Sequence, residues 1–197
     1  MSESSPTRAV VLELKDEQRA MHEGYVFLDE KCLLLAGEML REVRRHRELM
    51  LALRKADAGA RRALRAAVGR HGVNGLQVHA VPPGAEQVEV HTRSLLGVGL
   101  VTAEFVPSPP AARHAVHPSP EAAACRAAHR HLAPILVELA AVSTNLARLH
   151  AEYRRTVRRV RALQDVLLPE LDDSIADIDT GLEDMEREDA VASRRRA

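Results

Sequence analysis

The sequence predicts a mainly α fold: a long antiparallel two-helix coiled coil with a small head in the middle of the chain, containing a β-hairpin. Three observations predict it. Apolar residues recur at seven-residue spacing near both ends of the 197-residue chain. Aromatic residues are nearly absent, with no Trp, two Phe and two Tyr. Only between residues 76 and 92 does the pattern change to alternation.

Composition sets the class. Ala, Leu, Arg, Glu and Lys make up about half the chain, the signature of long helices. So few aromatics argue against a thick globular core, whereas a two-helix seam needs only Leu, Val, Ile, Met and Ala. The formal net charge is zero, which disfavours a generic nucleic-acid binder. The charge is uneven, however: residues 41–70 and 154–161 are Arg-rich, and residues 170–189 are acidic. Cys32 and Cys125 are too few for a disulfide framework. Cys32 lies on an apolar stripe, as a buried free thiol would, and this fits a reducing compartment. The first residues lack a signal-peptide pattern, and no run of about 18 apolar residues is expected to span a bilayer.

The elements follow in order. Residues 1–5 read as a disordered lead. Ser5-Pro6-Thr7 reads as a helix start, a hydroxyl cap followed by proline. Over residues 6–56 one seam set is Val11, Gln18, Tyr25, Cys32, Met39, His46 and Leu53, and its companion is Leu14, Met21, Leu28, Leu35, Glu42 and Leu49. Gly24 and Gly37 each cost a helix about 1 kcal/mol and are expected to mark close approach of another backbone. Past Leu53 the pattern fades among glycines, leaving at most another turn or two of helix.

Residues 57–118 form the head. Leu76–Val81 and Gln87–His91 alternate around Pro82–Glu86, which predicts a hairpin there. Ser94–Val101 is small and apolar, and five prolines between 107 and 120 mark an irregular loop. A second helix is expected over 119–191, its regular start delayed by Pro134, followed by a basic tail at 192–197. Its seam sets are Leu132, Leu139, Leu146, Tyr153, Val160 and Leu167, with Ile135, Val142, Leu149, Thr156 and Leu163. The stripe then shifts to Leu171, Ile175, Ile178, Leu182 and Met185. The eleven-residue step from Val160 to Leu171 reads as a stutter that locally unwinds a supercoil, and Pro169 lies inside it. Two arms of about 75 Å each that share one seam must fold back on each other, which brings the chain ends together.

Three blocks resemble the D subunit of the V-type/A-type rotary ATPases. The first is Pro6-Thr7-Arg8 through Leu14-Lys15, with Gly24 and Leu28-Asp29-Glu30-Lys31. The second is Val88-Glu89-Val90 with Ser94-Leu95-Leu96-Gly97-Val98, similar to the family's Asn-Val-Met-Gly-Val turn. The third is Thr156-Val157-Arg158-Arg159-Val160-Arg161-Ala162-Leu163, then Val166, Pro169, Leu171, Ile175, Ile178, Leu182-Glu183 and Glu186-Arg187-Glu188. The chain departs from the family at Asp16 and Glu17, at Arg161 where Asn is usual, and across 103–120.

The resemblance implies a central rotor shaft that transmits torque and has no catalytic residues and no cofactor. Its implied partners are the hexamer of catalytic and non-catalytic subunits, the companion F subunit of the stalk, and the socket subunit on the membrane rotor ring. It implies a cytoplasmic subunit, peripheral to the membrane, that binds no nucleic acid. Candidate partner contacts are Arg8, Lys15, Arg158, Arg159, Arg161, Asp172 and Asp173. Candidate structural positions are Leu14, Gly24, Leu28, Gly97, Val160, Leu163, Pro169 and Ile175.

Other readings of the residues are weaker. His114, His117, Cys125, His129 and His131 are metal-ligand types, but their spacing matches no closed zinc site. Gly72-x-x-Gly75 and Gly97-x-Gly99 lack the rest of any phosphate-loop pattern. Glu183 and Arg187 read as an i,i+4 pair on a solvated face. A coiled-coil adaptor without rotary partners is the alternative function.

Overall fold

A computed structural model describes residues 7–79, 86–107 and 118–196. Helix α1 spans Arg8–Leu76 and ends in a 3-10 turn, Gln77–His79. Strands β1 (Gln87–Leu95) and β2 (Val98–Val106) form one antiparallel pair. Helix α2 (Pro120–Ala162) passes through a π-helical stretch, Leu163–Leu167, into α3 (Leu168–Arg196). The chain divides into a terminal unit, Met1–Ala36 with Glu152–Ala197, and a central unit, Gly37–Ala151. The expected lead at 1–5, the turn residues 82–85 and most of the Pro-rich loop lie outside the described residues.

In the terminal unit the helices run antiparallel. Arg8 bonds Glu186, Lys15 bonds Asp179, Gln18 bonds Asp172 and Lys31 bonds Glu152, so one number falls as the other rises. The central unit repeats the rule: Glu42 meets Asn145, Arg45 meets Glu138, and His71 meets Ser119. Seam residues lie between these pairs. Val11, Cys32, Leu35, Val160 and Ile175 are buried in the terminal unit. Leu49, Ala141, Val142 and Leu149 are buried in the central one.

Helix α1 runs about twenty residues beyond the point where its sequence pattern fades. The seam persists there on alanine: Ala60 and Ala67 continue the Leu53 series and are 1% and 0% exposed. Alanine has the same hydropathy on either face of a helix, so the pattern is invisible in sequence. Helical geometry breaks at Gly72, where φ is +72°. The expected close approach at Gly24 and Gly37 is absent, because a Cβ at either would meet open space.

The hairpin lies further along the chain than expected. Gln77–His79 is helical rather than extended, and Gln87–Leu95 pairs downstream instead, from Gln87↔Val106 to Leu95↔Val98. Leu96 and Gly97 form the two-residue turn, with φ of +50° and +85°. Two successive positive φ values are the type I′ pattern, whose twist matches that of the strands. Leucine is not a usual residue there, so the turn carries no strong sequence signal.

Helix α2 starts at Pro120, capped by Ser119, whose Oγ accepts the Ala122 N–H at 3.2 Å. Pro134 does not delay it. The proline is exposed, so water can satisfy the Arg130 carbonyl that loses its partner.

The register shift is resolved within the π-helical stretch. The Leu168 N–H bonds to the Leu163 carbonyl, five residues back. The covered positions run Val160, Leu163, Leu168, Leu171, Ile175, Ile178 and Leu182. The shift is therefore a one-residue insertion held in one turn, not a stutter spread along the coil. Leu167, expected on the seam, is 38% exposed, and Leu168 takes its place; Met185 is also exposed. The wider turn moves the Asp165 carbonyl away from the Pro169 ring, with which it would clash in an α-helix.

The helical run Pro120–Arg195 contains an 18-residue window of mean hydropathy 1.4. The core helix of a soluble protein meets the same measure of length and composition. Alanines and seam residues together raise the mean without forming an unbroken apolar run.

Gly97→Ala places a Cβ at φ +85° and is expected to cost about 1–2 kcal/mol, read as a lower urea midpoint.

Candidate functional site

The central unit builds a polar cluster where the hairpin meets the helices. A two-stranded hairpin is marginal alone. Here Val98 and Leu100 are buried, at 6% and 0% exposure, and full burial of a Val or Leu side chain contributes roughly 1.5–3 kcal/mol. Asn145 then clamps the outer edge of β2. Its Oδ1 accepts the Val101 N–H at 2.7 Å, and its Nδ2 donates to the Val101 carbonyl at 2.8 Å. Arg148 Nη1 donates to the Gly99 carbonyl at 2.7 Å. The side-chain amide thus replaces a missing third strand along that part of the edge.

Glu38 sits beneath the clamp, 5% exposed. It accepts hydrogen bonds from Arg41 and from Arg93 of β1. Burial pushes its carboxyl up, but the two guanidinium groups outweigh burial and hold it below the usual range. Glu42, one turn further along α1, has only the Asn145 amide, at 3.4 Å. Burial therefore dominates and raises its carboxyl, with the charge of Glu38 adding to the effect. A cleft of about 790 Å³ opens over these groups, lined also by Glu138 and Phe105. Glu38, Glu42 and Glu138 face guanidinium or amide partners, and the cleft holds no Ser, Cys, His or Lys among its lining residues. The chemistry it supports is the fixing of a hairpin to two helices.

In the terminal unit the corresponding lock is Lys31–Glu152 at 2.7 Å, with side chains 15% and 19% exposed. The Lys31 ammonium, followed by Arg155 and Arg159, overcomes partial burial and holds the Glu152 carboxyl below its ordinary range. Thr156, 2% exposed on the seam, donates its hydroxyl to the Glu152 carbonyl. Cys32 is a free, buried thiol, pushed up by burial and by Asp29.

The candidate contact residues divide into two groups. Arg8, Lys15 and Asp172 are engaged across the helix pair, though exposed. Arg158, Arg159, Arg161 and Asp173 are exposed, with no ion pair to any described residue. Leu14, Gly24, Leu28 and Leu163 are half-buried, Val160 and Ile175 are buried, and Gly97 and Pro169 are exposed. Glu183 and Arg187 pair at 3.0 Å. Cys125 and His129 lie 3.6 Å apart, but the described residues hold no group of three metal-ligand types. His114 and His117 lie outside them. Sequence reasoning missed Glu38, Arg93, Asn145 and the Lys31–Glu152 pair. Only Glu42, a charge at a seam position, hinted at a buried polar cluster.

A family model for the D subunit of ATP synthase matches residues 10–195. The chain belongs to the ATP synthase D-subunit family. The V-type ATP synthase D subunit of Anaeromyxobacter dehalogenans (strain 2CP-C) is 32% identical, covering 99% of this chain and 96% of its own length. That of Thermus thermophilus is 32% identical, covering 99% and 88%. The A-type ATP synthase D subunit of Pyrococcus horikoshii is 29% identical, covering 96% and 91%. Family membership places the chain in a rotary ATP synthase complex.

Two substitutions test the locks. Asn145→Leu leaves both backbone groups of Val101 without their partner and is expected to cost about 1–3 kcal/mol. Hydrogen exchange at the Val101 amide should accelerate with it. Glu152→Gln should cost about 1–2 kcal/mol near neutral pH. A carboxyl held low in the folded state stabilises it above the unfolded pKa of about 4.3 and loses this as pH falls through the folded value. The gap between variant and wild-type melting should therefore close under acid conditions and stay constant from pH 6 to about pH 8.

Proposed function

We propose that this chain is the central rotor shaft of a V/A-type ATP synthase, carrying torque between a catalytic hexamer and a membrane ion-translocating ring. The antiparallel helix pair of the terminal unit, which holds both ends of the chain and is locked by Lys31–Glu152, carries this reading. A shaft must resist twisting, and two helices joined by buried apolar residues and a half-buried ion pair resist it better than one. The full-length match to D subunits of V-type and A-type ATP synthases supports the same role.

In this role the chain makes or breaks no bond in ATP. It biases three otherwise equivalent catalytic sites by presenting each with a different face. The one-residue insertion at Leu163–Leu167 supplies such asymmetry, since it interrupts the regular winding of one helix of the pair at a single level. Arg158, Arg159 and Arg161 precede it and are exposed. Exposed ion pairs contribute only about 0.2–1 kcal/mol each, weak enough to exchange as a shaft turns. The hexamer subunits, a companion F subunit of the stalk and a socket subunit on the ring are the partners of this reading. The chain then sits on the cytoplasmic side, peripheral to the membrane.

Purification of the complex from native membranes should recover this chain with the hexamer subunits. Its absence from that complex would refute the proposal. Arg158→Gln with Arg159→Gln should lower ATP-driven ion pumping by about 2- to 20-fold while the complex stays assembled. Unchanged pumping would remove these two residues from the mechanism.

A further inference from the structure

The zero net charge of this chain conceals a polarity. The terminal unit has 13 basic and 19 acidic residues and the central unit 15 and 9, giving net charges of −6 and +6. Much of the positive excess lies on one face of α1. Arg44, Arg47, Arg54, Arg61, Arg62 and Arg65 are all exposed. At 100° per residue they fall, with Lys55, within an arc of about 120° and a length of about 32 Å. Arg47, Arg54 and Arg61 recur at seven-residue spacing. Only Arg61 among them pairs with a described residue, Asp57 at 2.7 Å.

A solvated helix face usually mixes signs, and this one does not. Cations three or four residues apart, such as Arg61 and Arg65, repel one another and weaken the helix. The repulsion has a purpose if a second surface neutralises it. That surface is narrow, because Glu48 and Asp57 border the arc on either side by the same angular count. A flat sheet of phosphates would meet those carboxylates, whereas a ridge one helix wide would not. The central part of α1 also has no Phe, Tyr or Trp, the residues that anchor interfacial helices in membranes or stack bases. Nearby guanidinium groups already take carboxylate partners, Arg45 with Glu138 and Arg41 with Glu38. Leu51, 59% exposed within the arc, offers one apolar contact at its centre.

We infer that this arc docks an acidic ridge, one helix wide and bearing Asp or Glu side chains, on another subunit of the same complex. The inference rests on the rotary-complex reading above. Arg47, Arg54 and Arg61, about 10.5 Å apart along the helix, meet every second turn of that ridge, and Lys55 stands beside them.

The test uses the intact complex purified from membranes. A carbodiimide should join the Lys55 amine to an Asp or Glu of a second subunit, identified by mass spectrometry. Arg47→Glu, Arg54→Glu and Arg61→Glu together should abolish that cross-link and weaken retention of that subunit by about tenfold or more at low salt. The triple Lys variant should retain binding, and an unchanged melting curve of each isolated variant establishes folding. Wild-type retention should fall steeply with added salt. Retention by the triple Glu variant with wild-type salt dependence overturns the inference and leaves the rotary reading intact. So does binding of wild-type chain to vesicles of phosphatidylcholine and phosphatidylglycerol at roughly 7:3 that the Glu variant loses while every subunit stays bound. Failure of the wild-type chain to purify with the hexamer at all would instead refute the rotary reading.

Discussion

A helix pair with almost no aromatic residues can be held only by a narrow seam, and every other feature of this chain accommodates that constraint. Leu, Val, Ile and Ala bury little surface per residue, so each turn contributes modestly and the contact must be long. A long contact multiplies the consequences of register. In an antiparallel pair, one extra residue on one helix turns all later side chains by about 100°. The stripe from Leu168 to Leu182 stays on the seam only because one π-helical turn absorbs the extra residue. Pro169 and the insertion are therefore one feature: the proline removes an N–H, and the wide turn removes the carbonyl it would strike.

Polar residues on such a seam have to be satisfied within it. Thr156 bonds its own helix, Asn145 bonds the hairpin edge, and Glu38 holds two guanidinium groups. No described buried side-chain polar atom lacks a partner. An unmatched group would cost about 1–3 kcal/mol, comparable to what a buried leucine contributes. The polar residues thus set where the hairpin attaches rather than adding general stability. Leu100 supplies the burial and Asn145 the position.

The periodicity of Leu, Val and Ile made the helix pairing legible in the sequence. Most of their exposed neighbours are polar, although Leu12, Phe27, Leu33 and Leu34 are exposed beside them. Beyond Leu53 the seam passes to Ala60 and Ala67, and the contrast disappears although the packing continues. The hairpin strands were half legible: Gln87–His91 alternates and is extended, while Leu76–His79 shows the same pattern and is not. Alternation records which side chains share a face, but the choice of partner strand was made by the turn at Leu96–Gly97, which Gly97 marks and Leu96 does not. The clamp was illegible. Asn145 lies next to the seam, and nothing in its neighbourhood separates it from an exposed asparagine.

Charge follows a different logic from packing. Buried apolar residues such as Leu35, Leu49, Leu149 and Ile175 are placed by the chain's need to fold. Apart from the Arg61–Asp57 pair, the Arg face of α1 answers no need among the described residues: removing its charge would relieve repulsion and expose no buried group. The terminal unit is opposite in character, because its acidic α3 is already answered in part by Arg8 and Lys15 across the helix pair. A fold selected for stability alone would have mixed the signs on each face. A separation of −6 and +6 between units of one neutral chain instead matches a body that meets different surfaces with its two units, each by electrostatic contacts weak enough singly to reform and numerous enough together to hold.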